Sequence, residues 1–261
     1  MKKRIDILLT EKNFFESRAK SQAMIMSGKI LVNGQKIDKS GTLVDVDSKI
    51  EIIGENMPFV SRGGFKLQKA LEVFKINLAG KIAADIGAST GGFTDCMLQH
   101  GAKKIYAIDV GYGQLAWKLR NDERVINFER TNIRNVTTEN FSDELNFASI
   151  DVAFISLEKV LPVAKELLND DGEIVALIKP QFEAGRDKVG KKGVVRDRKV
   201  REDVLRKILN FSREIDLKVC GLDSSPIKGS EGNIEYLTFL RKNFDMEEIN
   251  LDEKINLCCV E

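Results

Sequence analysis

The chemistry of this chain is carried by a glycine-rich turn and by charged residues that close apolar runs. Ile82-Ala83-Ala84-Asp85-Ile86-Gly87-Ala88-Ser89-Thr90-Gly91-Gly92-Phe93-Thr94-Asp95 is an apolar run ending in Asp85, then a turn with glycines at 87, 91 and 92, then helical periodicity. That order reads as strand, loop and helix. Glycine lets bare backbone approach a ligand, and the helix that follows starts with unpaired N–H groups. An ordinary strand-to-helix turn has the same glycines, so the loop alone does not decide between the two. The spacing is neither the G-x-G-x-x-G of a dinucleotide fold nor a P-loop, which requires G-K-[ST]. What favours a ligand site is the next apolar run, Lys104-Ile105-Tyr106-Ala107-Ile108-Asp109. It ends in an acid about 20 residues on, where a carboxylate accepts hydrogen bonds from ribose hydroxyls.

The elements that must position these residues follow from the rest of the pattern. Strand-like runs at 82–86, 104–109, 124–129, 146–151, 173–178, 217–222 and 234–240 alternate with helical ones. Such alternation predicts an α/β fold, a doubly wound Rossmann-like sheet that is mainly parallel, with ligands at the carboxyl ends of the strands. Asp85, Asp109, Asp151 and Lys179 all fall at such ends.

Asp85 to Phe93 resembles the first motif of S-adenosylmethionine (AdoMet) methyltransferases of the FtsJ-like class, and Ala107-Ile108-Asp109-Val110-Gly111-Tyr112-Gly113 fits the segment that follows it. Ser61-Arg62-Gly63-Gly64-Phe65-Lys66-Leu67, Asp151-Val152-Ala153-Phe154-Ile155-Ser156-Leu157, Ile178-Lys179-Pro180-Gln181-Phe182-Glu183 and Gly232-Asn233-Ile234-Glu235-Tyr236 are similar to motifs of the TlyA (haemolysin A) family. The resemblance implies a ribosomal RNA ribose 2′-O-methyltransferase that uses S-adenosyl-L-methionine on a cytidine of 23S rRNA, with 16S rRNA as a further substrate. It places a cofactor site on Asp85, Gly87, Ser89, Thr90, Gly91, Gly92, Phe93 and Asp109. Asn132 stands where many relatives of the fold have an acid near the adenine, and its amide oxygen is the expected N6 acceptor there. The family's Lys-Asp-Lys-Glu tetrad falls on Lys66, Asp151, Lys179 and Glu235. A 2′-hydroxyl must lose its proton as it attacks the methyl group, yet a free lysine, with pKa about 10.4, is protonated at neutral pH. A neighbouring cation and burial disfavour the charged amine, whereas carboxylates oppose that shift and hold the amine in place. Lys179 is therefore expected to activate the hydroxyl, Asp151 and Glu235 to orient the lysines, and Lys66 to fix the substrate oxygen. Read singly, Lys66 is more simply a solvated helix residue and Glu235 a strand-end charge, and it is the four matches in the family's chain order that argue against this.

Ahead of this region, Ser17 is a plausible N-cap for a helix closed by Gly28. Ile30-Leu31-Val32 and Gln35-Lys36-Ile37 flank Asn33-Gly34, a strong hairpin signal, and Lys49 to Ile53 supplies another strand. Arg4-Ile5-Asp6, Ser17-Arg18-Ala19 and Gly28 to Gly34 are similar to the ribosomal-protein-S4-type RNA-binding domain. A division into residues 1–58, this module with a linker at Gly54 to Pro58, and 59–261, the methyltransferase domain, is expected. The run from Ser61 opens a helix with Leu67, Ala70, Leu71 and Phe74 on one face. The candidate phosphate contacts are Arg4, Arg18, Lys20, Lys29, Lys36, Arg62, Lys188, Lys191 and Lys192, positioning RNA more than reading it. The glycine-containing stretch Gly185 to Gly193 is expected to be a mobile loop over the RNA entrance.

With 261 residues, the chain has room for one α/β domain and a small second one. The net charge of +1 hides two basic stretches: residues 1–42 carry nine Lys or Arg against four acids, and 186–201 carry eight against two. Such clusters suit a polyanionic partner, ribosomal RNA or a ribosomal subunit, although charged runs are also ordinary solvated surface. Four cysteines without C-x-x-C spacing and a lone His100 point away from a metal site or a disulfide framework. No apolar run is of membrane-spanning length, so a cytoplasmic protein, expected as a monomer, follows. Two other readings are a non-catalytic RNA-binding ribosome assembly factor and, from the family's older name, a haemolysin.

Overall fold

The computed structural model describes residues 2–12, 14–15, 17–52, 57–229, 231–242 and 249–259. The chain divides into two compact units, residues 1–57 and 58–261.

The first unit runs β1 (Lys2–Arg4), α1 (Ile5–Glu11), α2 (Arg18–Met26), β2 (Ile30–Val32), β3 (Gln35–Ile37), β4 (Leu43–Asp45) and β5 (Ile50–Ile52). Ser17 caps α2 by accepting the Lys20 N–H, as the sequence suggests. Asn33 and Gly34 both take positive φ, 52° and 80°. Those angles are what a two-residue hairpin turn requires, and they pair Val32 with Gln35 and Ile30 with Ile37. β5 takes the other edge of β2. Ile53 of the expected strand and residues 54–56 of the expected linker lie outside the described residues. β1, α1 and β4 are not evident in the sequence, because three-residue strands and a two-turn helix are too short to show a clear period. Ile5, Leu8, Leu9, Ile25, Ile30, Val32 and Val44 form this unit's own core.

The second unit runs α3 (Gly63–Phe74), β6 (Ile82–Ile86), α4 (Gly92–Gln99), β7 (Lys104–Ile108), α5 (Trp117–Arg120), β8 (Val125–Phe128), β9 (Leu145–Ile150), α6 (Leu161–Leu167), β10 (Leu168–Ile178), α7 (Pro180–Glu183), α8 (Arg198–Glu214), β11 (Lys218–Ser224), β12 (Tyr236–Arg241) and α9 (Leu251–Cys258). The seven strands form one sheet in the order β11-β12-β10-β9-β6-β7-β8. β10, β9, β6, β7 and β8 are parallel, while β12 is antiparallel to both its neighbours. Successive residues of β10 serve opposite faces, with Ile174, Ala176 and Ile178 in one core and Val175 and Leu177 in the other. Burial on both faces explains why these strands read as continuous apolar runs. On α3, Leu67, Ala70 and Leu71 are buried, and Phe74 stacks on Phe239 of β12 at 5.7 Å. Lys69 donates to Asp223 and to the carbonyl of Ser224, which ties α3 to the end of β11.

Among the described residues no helix is long and apolar enough to cross a membrane, and no group of His, Cys, Asp and Glu is placed to hold a metal ion.

Candidate active site

The site is assembled at the end of β6. The loop after it bonds back to the neighbouring strand, with the N–H groups of Gly87 and Ala88 both donating to the carbonyl of Ile108. Gly87 has φ of 87°, and a Cβ there would lie 2.5 Å from the carbonyl oxygen of Asp151. Only glycine lets this loop pass against the end of β9. Asp85 points away from the cavity, contrary to the expectation that it contacts cofactor. It is wholly buried and accepts the N–H of Thr94 at 2.8 Å, the Thr94 hydroxyl at 2.6 Å and the Ser149 hydroxyl at 3.0 Å. Burial pushes its pKa up to about 6, and the Thr94 and Ser149 bonds pull the other way. Its observed part is to pin the first turn of α4 to β6 and β9. Asp109 accepts the N–H of Ser89 at 2.8 Å on one oxygen and that of Gly111 at 2.7 Å on the other. Each oxygen keeps a second acceptor position for a ligand hydroxyl.

A cavity of about 370 Å³ opens beside this loop, lined by Gly87, Ser89, Thr90, Gly92 and Phe93 together with Lys66, Asp151 and Lys179. The four charged residues named from the sequence meet here in a single line. Lys179 lies 2.5 Å from one oxygen of Asp151, Lys66 lies 3.8 Å from the other, and Lys66 donates to Glu235 at 2.6 Å. All are largely withdrawn from water, with side-chain exposures of 12% for Lys179, 20% for Asp151, 11% for Lys66 and 3% for Glu235. Asp151 follows β9 and Lys179 follows β10, so both stand at carboxyl ends of parallel strands. Glu235 reaches the same edge because β12 runs the other way and Glu235 precedes it. Lys66 arrives from the second turn of α3.

Other expected residues are placed differently. Asn132 uses its amide oxygen on the N–H and the Nε–H of Arg134, capping a short turn. These two contacts occupy the acceptor positions expected for the adenine N6 group. Arg62 lines the cavity. Lys188, Lys191 and Lys192 are exposed on two short 3₁₀ turns, and the stretch they occupy is anchored by Asn233, which donates to Gly193 O and accepts from Val195 N. Arg4, Arg18, Lys20, Lys29 and Lys36 are exposed on the first unit.

Several residues at the site were not anticipated. Ser61, Ala153, Ile227, Lys228 and Gly229 also line the cavity, and Asp95 accepts the Val60 N–H ahead of α3 and pairs with Lys118. The turn residues Ser225 and Pro226 were the available signal for the 227–229 loop. A larger cleft, about 450 Å³, lies at the opposite end of the sheet. There Glu173 is already paired with Lys81 and Arg241.

A doubly wound sheet with a glycine loop after β6, an acid after β7 and a line of lysines and carboxylates across the loop defines a group-transfer enzyme that binds a nucleoside cofactor. Residues 59–242 match the model of the FtsJ-like methyltransferases, and residues 3–50 match that of the S4 domain. The chain belongs to the FtsJ-like methyltransferase family, and its cofactor is S-adenosylmethionine. It is 51% identical over 240 residues to the candidate rRNA methyltransferase YqxC of Bacillus subtilis (strain 168), covering 92% of this chain and 85% of that one. It is 40% identical to 16S/23S rRNA (cytidine-2′-O)-methyltransferase TlyA of Mycobacterium tuberculosis (strain ATCC 25618 / H37Rv), covering 93% and 91%. A solved structure of a candidate hemolysin from Streptococcus thermophilus superposes with a TM-score of 0.76 at 44% identity, covering 98% of this chain and 95% of that one.

Proposed function

We propose that this protein transfers a methyl group from S-adenosylmethionine to the 2′-hydroxyl of a cytidine in ribosomal RNA, in the cytoplasm. The observation that carries the reading is the Lys179–Asp151–Lys66–Glu235 line, whose first three members line the same cavity as the Gly87–Phe93 loop. The residues present fit the cofactor: a loop that passes bare backbone along the cavity, and a carboxylate at Asp109 with acceptor capacity to spare. Bound there, AdoMet supplies an electrophilic methyl group on a cationic sulfur.

The chain's own residues do the rest. Asp151, held between two lysine amines, fixes Lys179 on one side and Lys66 on the other. Glu235 takes the second contact of Lys66, so that Lys66 keeps a donor for the substrate oxygen. Lys179, at the cavity wall, receives the hydroxyl proton as the oxygen attacks, which requires that it first give up its own. The buried pairs cost desolvation but set both amines in one geometry, as proximity catalysis needs. Residues 1–58 act as the RNA-docking module, with Arg4, Arg18, Lys20, Lys29 and Lys36 on phosphates, and Arg62, Lys188, Lys191 and Lys192 are the phosphate contacts of residues 59–261. This arrangement disfavours a non-catalytic assembly factor, which has no use for two lysines held buried by shared carboxylates.

The test is transfer of labelled methyl from AdoMet to purified large and small ribosomal subunits, followed by mapping of the product. Label on the 2′-oxygen of a cytidine is expected. Label on a base, or none on either subunit, refutes the reading.

A further inference from the structure

Outside the cavity, the most heavily coordinated carboxylate of the first unit is Asp6. It sits in the first turn of α1 with no exposed surface, yet three of its partners are side chains on its own unit's surface. One oxygen accepts the Arg4 Nε–H at 3.1 Å and the Ile7 N–H at 3.0 Å. The other accepts Arg4 Nη2 at 3.1 Å, Arg18 Nε at 2.9 Å and Gln22 Nε2 at 2.8 Å. The two guanidiniums therefore share one oxygen and are neighbours, although one comes from β1 and the other from α2. The Arg4 hydrogen bonds, with help from Gln22 and Arg18, hold the Asp6 carboxyl well below the usual carboxylate range.

A guanidinium has five N–H donors in a fixed fork. Arg4 spends two on Asp6 and Arg18 spends one, its Nε–H, so among the described residues both terminal nitrogens of Arg18 remain available. Their side chains keep 43% and 52% exposure while the carboxylate that grips them keeps none. A buried acid that grips the inner edge of two arginines and leaves their outer edges facing solvent suits a ligand with several acceptor oxygens on one small group.

We infer that Asp6 is a positioning residue that pre-sets Arg4 and Arg18 as a two-pronged clamp for one RNA phosphate. This deepens the functional reading above and rests on it. An unclamped arginine pair has to be ordered when RNA binds, at a cost in affinity; the clamp meets that cost during folding. Asp6 also lowers the local charge by one, so a role through charge alone predicts that its removal strengthens binding to any RNA. A role through geometry predicts that binding to the substrate weakens.

The test uses the full chain, a ribosomal RNA fragment that accepts methyl groups and a random-sequence RNA duplex of equal length. Asp6→Asn keeps the shape and one acceptor. It should weaken binding of the substrate fragment about tenfold, the factor of one charge-assisted contact, while duplex binding is unchanged or stronger. Arg18→Ala should also cost about tenfold alone but less than about twofold when added to Asp6→Asn, because the clamp is already open. Arg18→Lys keeps the charge but turns its single ammonium toward Asp6, and should lose about as much as Arg18→Ala. Equal losses from Arg18→Ala in both backgrounds, or a parallel gain for both RNAs with Asp6→Asn, overturns the inference. If Asp6→Asn melts early, the Arg18→Lys comparison decides, since full affinity in that variant also overturns it. A wild-type protein that methylates no ribosomal RNA would overturn the functional reading and this inference together, whereas an active wild type with an unchanged Asp6→Asn removes this inference alone.

Discussion

Replacing Lys179 with arginine separates proton transfer from mere positive charge. The Lys179 amine is 2.5 Å from Asp151 and 12% exposed, and Asp151 also faces Lys66 at 3.8 Å. Arginine can renew the ion pair with Asp151, so a role that needs only a cation near the substrate oxygen survives with a modest loss from the longer head. Arginine cannot become neutral, so a role that needs a base does not survive. A positioned base contributes about 10²–10⁴-fold, or roughly 2.7–5.4 kcal/mol of barrier at 1.36 kcal/mol per decade. The assay is single-turnover methyl transfer at saturating AdoMet and RNA, across pH, with a thermal melt and an AdoMet titration to show that fold and cofactor binding are intact. The rate of Lys179→Arg should fall by at least about 100-fold. Lys179→Met, which loses charge and base together, should be at least as poor. A folded, AdoMet-binding Lys179→Arg protein within about fivefold of wild type would refute the base assignment, since that lies far below what a base contributes.

Three further outcomes follow from the geometry. Asp109→Ala removes an acceptor and frees the N–H groups of Ser89 and Gly111, so AdoMet binding should weaken by about 1.5–3 kcal/mol in calorimetry, and unchanged affinity would show that Asp109 does not hold cofactor. Gly87→Ala places a methyl group 2.5 Å from the Asp151 carbonyl at an unfavourable φ, and should cost on the order of 2–4 kcal/mol in urea unfolding together with most of the activity; a wild-type midpoint refutes the close approach. The folded state binds the Asp85 proton more tightly than the unfolded chain, with a pKa of about 6 against 3.8, so this residue lowers stability as pH rises from about 4 to about 6, with no further loss above. Asp85→Asn should remove that slope, a relative gain of about 3 kcal/mol by neutral pH read from melts at several pH values, and parallel wild-type and variant curves would refute it.

Local patterns along the chain were enough for features that a few adjacent residues can encode. Apolar runs ending in acids, the glycines of 87–92, the Asn33-Gly34 turn and the Ser17 cap each rest on a few adjacent residues, whose periodicity and φ requirements act before any long-range contact. The alternation of strands and helices was enough for the doubly wound class, and so for the edge of the sheet where a ligand binds. Tertiary structure alone decided how the charged residues meet. Glu235 and Lys66 are 169 residues apart, and nothing in either neighbourhood says that a reversed β12 and a helix pinned by Lys69 bring them within 2.6 Å. Asp85 and Asp109 look alike in sequence, each an acid closing an apolar run. One became a buried strut and the other a half-exposed acceptor because Thr94 and Ser149 lie on the inner side of the first, and two loop N–H groups lie beside the second. Asp6 shows the same limit, since its five donors come from β1, α1 and α2, and only their packing turned an ordinary surface-type acid into a buried clamp.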